Sequence, residues 1–435
     1  MKIIKIIILL LIANTSFAAT RVDINSGNID PIKIAINQFS FSSANSQALA
    51  INIDNVIAED LSNSDLFRLL SRKSFIEQLN FEKERPDFSS WRIINAVATI
   101  AGRVDEVSGD NIRISFKIWD NYNEKLMKSS SYVGNKHNFR KLAHKIADDI
   151  YSTLTGYPGY FNSRIAFIEE SGNPFRKIKK IAIIDQDGAN LRYITDGRDL
   201  TLTPRLSPDN NRLIYLSYKS RLPKVYLYDF YTNKHHLLGE FPGMSYAPRF
   251  SPDSNNVVLS VAKGGSSSIF KINLKTLEKT LLSTGPYIDT TPCYSPNGDK
   301  IIFSSDRSGK AQLYTMNSNG TNQQRITFGN GNYHTPVWSP RGDYIAFTKT
   351  LNGQFHIGVM HADGKGERLI TSGYSVEGPN FAPNGRTIIF TRGASSSRKK
   401  LGKSRLMTID ITGLFEKELS LNSEGSDPAW STLLP

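Results

Sequence analysis

A short stretch near residue 291, T-P-C-Y-S-P-N-G-D-K-I-I-F, recurs with the same punctuation through most of the chain and limits its fold more than any other feature. The other copies are T-P-R-L-S-P-D-N-N-R-L-I-Y from Thr203, A-P-R-F-S-P from Ala247, T-P-V-W-S-P-R-G-D-Y-I-A-F from Thr335 and G-P-N-F-A-P-N-G-R-T-I-I-F from Gly378. Their leading prolines, Pro204, Pro248, Pro292, Pro336 and Pro379, stand 44, 44, 44 and 43 residues apart. A propeller blade of four strands occupies about 40 to 45 residues, so each copy reads as one blade. Pro292 to Ser295 is then a first strand and Pro296-Asn297-Gly298 a turn, in which proline fixes one dihedral and glycine takes the left-handed position. Ile301 to Ser304, Gln312 to Met316 and Gln324 to Thr327 follow as the second, third and fourth strands.

The two ends of this region set the blade count. Arg164 to Phe167, Lys180 to Ile184 and Arg192 to Thr195 supply strands two to four of a unit with no first strand, and Asp427 to Ser431 is a first strand with nothing after it. Five whole blades and one shared blade make a six-bladed β-propeller closed by pairing of its chain ends. An open array would leave unpaired strand edges.

Before the repeats the pattern changes. Ile32 to Phe39 alternates as a half-buried strand, and Leu49, Ile53, Val56, Ile57 and Leu61 lie at helical spacing. A turn and strand follow over Ser64 to Leu70, and a short helix is expected over Trp91 to Asn95. Apolar runs at 96–104, 112–119 and 125–132 read as an antiparallel meander, and Asn138 to Leu154 as an amphipathic helix packed on it. The expected organisation is an α+β domain over 19–157 and the propeller over 158–435, with Thr155-Gly-Tyr-Pro-Gly159 as the break.

Residues 1–18 have Lys2 and Lys5, an apolar run over 6–13, and Ser16-Phe17-Ala18 ahead of Ala19. This is the pattern of a secretory signal peptide cleaved between Ala18 and Ala19, and its apolar run is too short to span a membrane. The expectation is an exported, non-spanning protein for which nucleic acid is an unsuitable partner. Val22 and Ile24, just past the cleavage site, could pair as an edge strand.

Cys293 is the sole cysteine of the 435 residues, so no intrachain disulfide can form. The formal charge of +13 is uneven: residues 19–157 carry 17 basic and 17 acidic side chains, the rest of the chain after them 34 and 23. A basic propeller surface can be simply solvated or can steer toward an anionic partner. Its densest part, Arg398-Lys399-Lys400 with Lys403 and Arg405, reads as a loop tip.

Catalytic and cofactor patterns are missing. The seven histidines form no H-E-x-x-H pattern, and His235-His236 in an outer strand would point to opposite faces. Gly243-Met-Ser245-Tyr-Ala247 lacks the second glycine of a nucleophile elbow, and Gly264-Gly265 reads as a hairpin tip rather than a phosphate loop. Calcium at the S-P-D and S-P-N turns is disfavoured because Arg341 and Asn384 hold the same place in other copies. No catalytic residue, metal ligand or cofactor is assigned. What varies from blade to blade is the loop ahead of each proline: Leu202-Thr203, Met244 to Ala247, Asp289 to Thr291, Tyr333 to Thr335, Glu377-Gly378 and Ser426-Asp427. A variable rim on a regular scaffold suits recognition.

The motifs in this order resemble the TolB family, periplasmic components of the Tol-Pal system of Gram-negative bacteria. The likeness rests on R-V-D-I-N-S-G after the cleavage site, P-I-K-I-A-I at Pro31, E-D-L-S-N-S-D-L-F at Glu59, S-F-K-I-W-D at Ser115, A-H-K-I-A-D-D-I-Y-S-T-L-T-G at Ala143, the repeats, and the terminal P-A-W-S. It implies a non-enzymatic adaptor in outer-membrane integrity, cell division and protein import, monomeric and without cofactor. TolA would engage the N-terminal segment Ala19, Thr20, Arg21, Val22, Asp23 and Ile24 together with the first domain. The lipoprotein Pal would be received on the rim at Met244, Ala247 and Thr290, with Thr203, Thr291, His334 and Glu377 around them, and other outer-membrane or peptidoglycan-associated proteins are further candidates. Met244 departs from the polar residue often found there. The other function classes are a propeller binding a glycan or small ligand and a propeller-borne hydrolase or lyase.

Overall fold

The computed structural model describes residues 30–173, 176–220, 222–241, 243–395 and 402–435. The cleavage site, the segment 19–24 with its expected strand, and the basic run Arg398 to Lys400 lie outside the described residues. The first part of the chain builds one sheet from β1 (Ile32–Ile36), β2 (Ser40–Phe41), β3 (Phe67–Leu69), β4 (Ala98–Glu106), β5 (Asn111–Asp120) and β6 (Lys125–Asn135). The meander β4-β5-β6 is antiparallel as its alternation required, but β1 pairs parallel with both β3 and β4, giving the order β3-β1-β4-β5-β6 with β2 against β4.

Helix α1 (Ala44–Asn63) starts at a capping box between Ser43 and Ser46, and α3 (Phe139–Thr155) stops at left-handed Gly156. Their apolar stripes, with Ile53, Ile57 and Leu61 facing Ala143, Ile146 and Ile150, bury one side of the sheet. On the other side α2 (Phe88–Ile93) packs Phe88 and Trp91 near Leu79 and Trp119. This helix begins three residues before the expected Trp91 and ends short of Asn95. The Asp87 carboxylate caps it by accepting from Ser89 N, and Asn95 has φ 59°, which no right-handed helix admits.

The repeats form five consecutive four-stranded antiparallel sheets, within 201–237, 244–281, 290–325, 332–373 and 375–418. The sixth sheet is composite: Glu424–Trp430 pairs antiparallel with Arg164–Asn173, and Arg176–Asp185 and Arg192–Tyr193 complete it. The copy that begins at Thr291 has its first strand over Thr290–Tyr294 and its fourth reduced to Gln324–Arg325, because Thr327 turns to accept Leu313 N on its hydroxyl. Ile301, Ile302 and Phe303 are all fully buried, Phe303 among Val258 and Tyr294 and Ile302 among Trp338 and Ile345. Alternate residues therefore pack against different neighbouring blades, which is why the strands read as unbroken apolar runs.

The first domain sits on the face of the ring that carries the S-P turns. The ring of Tyr157 lies 4.9 Å from the Arg341 guanidinium and 5.5 Å from that of Arg386, each in one of these turns. Trp430 Nε1 donates to Ser163 Oγ at 2.8 Å, and its ring meets Tyr160 edge-on. A buried polar cluster joins the domains: Asp60 takes His144 Nδ1 at 2.6 Å and Gln186 Nε2 at 2.8 Å, Arg140 pairs with Asp187, and Asp148 accepts the amides of Phe161 and Asn162 at 2.7 and 3.0 Å. No helix among the described residues is long and apolar enough to cross a membrane.

Trp430 joins the composite sheet to the first domain, so Trp430→Ala should lower stability in urea by about 3 to 5 kcal/mol, while Tyr231→Ala, at an 81% exposed ring, should move it by less than about 0.5 kcal/mol. Equal effects would refute the joint. Burial lifts the Asp148 carboxyl to about 7 despite its two amide bonds. A raised carboxyl pKa favours the fold below the unfolded value, and that stability is lost as pH climbs toward 7. Asp148→Asn should therefore gain melting temperature relative to the parent between pH 5 and pH 8; a constant or shrinking difference contradicts this.

Candidate functional site

Among the described residues the face opposite the first domain is left uncovered, and its geometry begins with the X-Pro steps. In every blade the residue before the leading proline has positive φ: Thr203 50°, Ala247 51°, Thr291 52°, Thr335 44°, Gly378 66° and Asp427 52°. At each of these places the pairing of first and second strands skips, a β-bulge between Leu202 and Arg205, Tyr246 and Arg249, Thr290 and Cys293, His334 and Val337, Glu377 and Asn380, and Ser426 and Ala429. Left-handed threonine is uncommon and costs on the order of 1 to 3 kcal/mol, held by the sheet around it. Gly378 was the one sequence hint of this conformation, since glycine takes it freely. The consequence is a ring of six kinks around the channel mouth.

The structure places every rim residue named from the sequence on this ring. Thr203, Ala247 and Thr291 are bulge residues themselves, and Thr290 and His334 directly precede one. Met244 starts its strand, 38% exposed, and Glu377 is exposed with its carboxylate accepting from Ser375 Oγ at 3.2 Å. Burial holds the His334 imidazole below its usual pKa, so it stays neutral at physiological pH. Loops leading into the first strands add exposed apolar side chains: Leu200, Tyr287, Ile288, Phe328 at 74% and Tyr374 at 67%. Apolar groups gathered on one face of a protein mark a contact surface.

Two devices the sequence reading missed stiffen the rim. Arg307 grips the fully buried Asp289 with Nη2 at 3.0 and 2.8 Å from the two carboxylate oxygens, and its guanidinium lies 5.0 to 5.3 Å from the rings of Tyr287, Phe303 and Tyr314. This fixes the chain just ahead of Thr290. In addition, side chains accept bulge amides across blade junctions: Gly378 N to Thr348 Oγ1 at 3.2 Å, Asp427 N to Thr391 Oγ1 at 3.0 Å and Thr203 N to Asp427 Oδ2 at 3.2 Å. This belt runs from the fourth blade through the sixth to the first. Neither feature has a local signature, since each joins residues from different loops or blades.

The chemistry of the remaining clusters is structural. In the S-P-D turns the carboxylates are spent on their own turn: Asp209 accepts Asn211 N at 3.1 Å and Asp253 accepts Asn255 N at 3.0 Å, each also taking the hydroxyl of Ser207 or Ser251. His235 bonds Tyr215 Oη through Nδ1 at 2.9 Å, while His236 pairs opposite Leu227. Among the described residues Asp60, His144 and Asp187 form the one trio of clustered metal-ligand types. Asp60 and Asp187 lie on opposite nitrogens of the imidazole, and Arg140 already neutralises Asp187. The contacts that these three side chains make tie the first domain to the propeller.

Comparison with known proteins gives the same outline. Residues 20–127 match the family described as TolB amino-terminal domain, and residues 151–434 match that described as TolB beta propeller domain. The chain is 57% identical over 419 residues to the Tol-Pal system protein TolB of Paramagnetospirillum magneticum, covering 96% of this chain and 94% of that one. The crystal structure of TolB from Acinetobacter baumannii superposes with a TM-score of 0.81 at 24% identity, over 93% of this chain and 97% of that chain. Hydrazine synthase of Kuenenia stuttgartiensis shares the fold of 62% of this chain and 47% of its own, with a TM-score of 0.51 at 12% identity.

Removing Arg307 would strand the buried Asp289 carboxylate, so Arg307→Ala should cost about 3 to 5 kcal/mol in urea unfolding. Adding Asp289→Asn should recover part of the loss. If the double variant is less stable than Arg307→Ala, the clamp is not what holds this part of the rim.

Proposed function

Because the chain belongs to the TolB family, we propose that this periplasmic, non-enzymatic component of the Tol-Pal system is an adaptor that receives Pal on its propeller rim and TolA on its N-terminal segment and first domain. The observation that carries the reading is the open rim itself. It is a kinked ring with exposed apolar side chains, on the face the first domain leaves free, and Met244, Ala247 and Thr290 lie together on two adjacent blades. A surface already held in shape binds without a large ordering cost. The first domain occupies the opposite face, so the two partners could be held at once, and the polar cluster around Asp60, His144 and Asp148 is the path by which one site would sense the other. Cleavage after Ala18 would leave the segment from Ala19 free to reach TolA, and export through that signal peptide accounts for the periplasmic setting.

The test is capture from cell envelopes with the mature protein, with a form lacking residues 19–30, and with Thr290→Arg. The intact protein should retain both Pal and TolA, the shortened form should lose TolA alone, and Thr290→Arg should lose Pal at least about tenfold while keeping TolA, since a bulky charge in an interface core costs over about 1.4 kcal/mol. Undiminished capture of Pal by Thr290→Arg would remove the rim from the account. Recovery of neither protein by the intact form would remove the adaptor reading.

A further inference from the structure

Just past each bulge the first strand presents one residue to the wall of the channel, and the six such residues are Arg205, Arg249, Cys293, Val337, Asn380 and Ala429. Asn380 links blades by accepting Trp430 N at 2.9 Å. Arg205 and Arg249 stand in adjacent blades, walled by protein but still in contact with the lumen. Two other well-enclosed arginines of the propeller are matched, Arg307 with Asp289 at 2.8 Å and Arg386 with Asp410 at 2.6 Å. These two are not: among the described residues neither forms an ion pair, Arg205 Nη1 donates to the carbonyl of Pro204 at 2.6 Å, and the Arg249 guanidinium makes no hydrogen bond. Burial, and then the like charge of Arg249, pull the Arg205 guanidinium down to about 9 against the opposing pull of Asp427 and Cys293. Asp427 is engaged elsewhere, by the amide of Thr203.

The same sector lacks the belt of rim hydrogen bonds. Among the described residues no side chain accepts the bulge amides of Ala247, Thr291 or Thr335, whereas those of Gly378, Asp427 and Thr203 are all taken. A charge pair without a counter-ion therefore coincides with blade junctions that lack this cross-link. Placing two guanidiniums side by side in a low-dielectric wall is costly unless an anion joins them. We propose that the channel binds an oxyanion, a carboxylate or a phosphate, between Arg205 and Arg249. The planar guanidinium fork suits such groups, and one anion shared by neighbouring blades would tie together the sector that the threonine belt leaves out.

Two sources supply this chemistry, a free inorganic anion or an acidic side chain brought in at the rim by another protein, and inorganic phosphate and N-acetylglutamate stand for them. The full chain would be melted while chloride is exchanged for either probe at fixed ionic strength. A saturable rise of about 3 °C at roughly tenfold excess over the dissociation constant is expected for at least one probe, and the tighter of the two identifies the source. The rise should vanish in Arg205→Gln/Arg249→Gln. In Arg249→Lys, which keeps the charge and should fold, the midpoint concentration should move up at least about threefold. A rise that does not saturate, or that persists undiminished in these variants, is the general exclusion of phosphate from protein surfaces and overturns the site, as does no rise with either probe.

Discussion

Every blade has apolar side chains on both faces, so none is satisfied until a neighbour covers each side, and the ring depends on how its last sheet is assembled. That sheet takes one strand from residues 424–430 and three from the region after residue 163. Ser426 lies opposite Ile168 and Trp430 opposite Ile165, across more than 250 residues of chain. The same joint carries the first domain, because Trp430 reaches Ser163 and Tyr160 while Asn162 donates to the carbonyl of Leu434 at 2.7 Å. Disturbing the joint would therefore loosen both the ring and the seat of its companion domain.

From that arrangement the division of faces follows. The S-P turns are rigid, their polar atoms consumed locally, and they offer the first domain a firm floor into which Tyr157 fits between two arginines. The opposite end of each first strand is bent by its bulge, which turns the preceding loop away from the strand line at the mouth of the channel. Strain at the five left-handed residues other than glycine is tolerated because strands on both sides are fixed. The belt of threonine and aspartate acceptors makes half the ring tight and leaves the other half, where Met244, Ala247 and Thr290 lie, with fewer such ties.

Much of this was legible in the sequence because it is local and periodic. The spacing of Pro204, Pro248, Pro292, Pro336 and Pro379 counts blades directly, and Ile301 to Phe303 declare a buried strand by their composition. The helix α3 was equally clear from its stripe. Features created by distant pairing were not: nothing in Ile32 to Ile36 says that β1 lies parallel between β3 and β4, and the limits of α2 depend on one cap at Asp87 and one left-handed asparagine. The site divides in the same way. Its loops could be found from variation between copies, but the Asp289–Arg307 clamp, the inter-blade belt and the juxtaposed Arg205 and Arg249 exist only once blades are side by side. The cluster of Asp60, His144 and Asp187 joins residues 84 to 127 positions apart from one another or 43, and no motif marks it.

What we propose for Pal is that it is recognised on the rim and not on the turn face or on the first domain. Hydrogen–deuterium exchange of the full chain with and without Pal tests it most directly. Slower exchange is expected in peptides containing Leu200 to Thr203, Met244 to Ala247 and Tyr287 to Thr291, with the S-P turns around Pro296 and Pro340 unchanged. Protection concentrated in those turns or along α1, with the rim peptides unaffected, would contradict it.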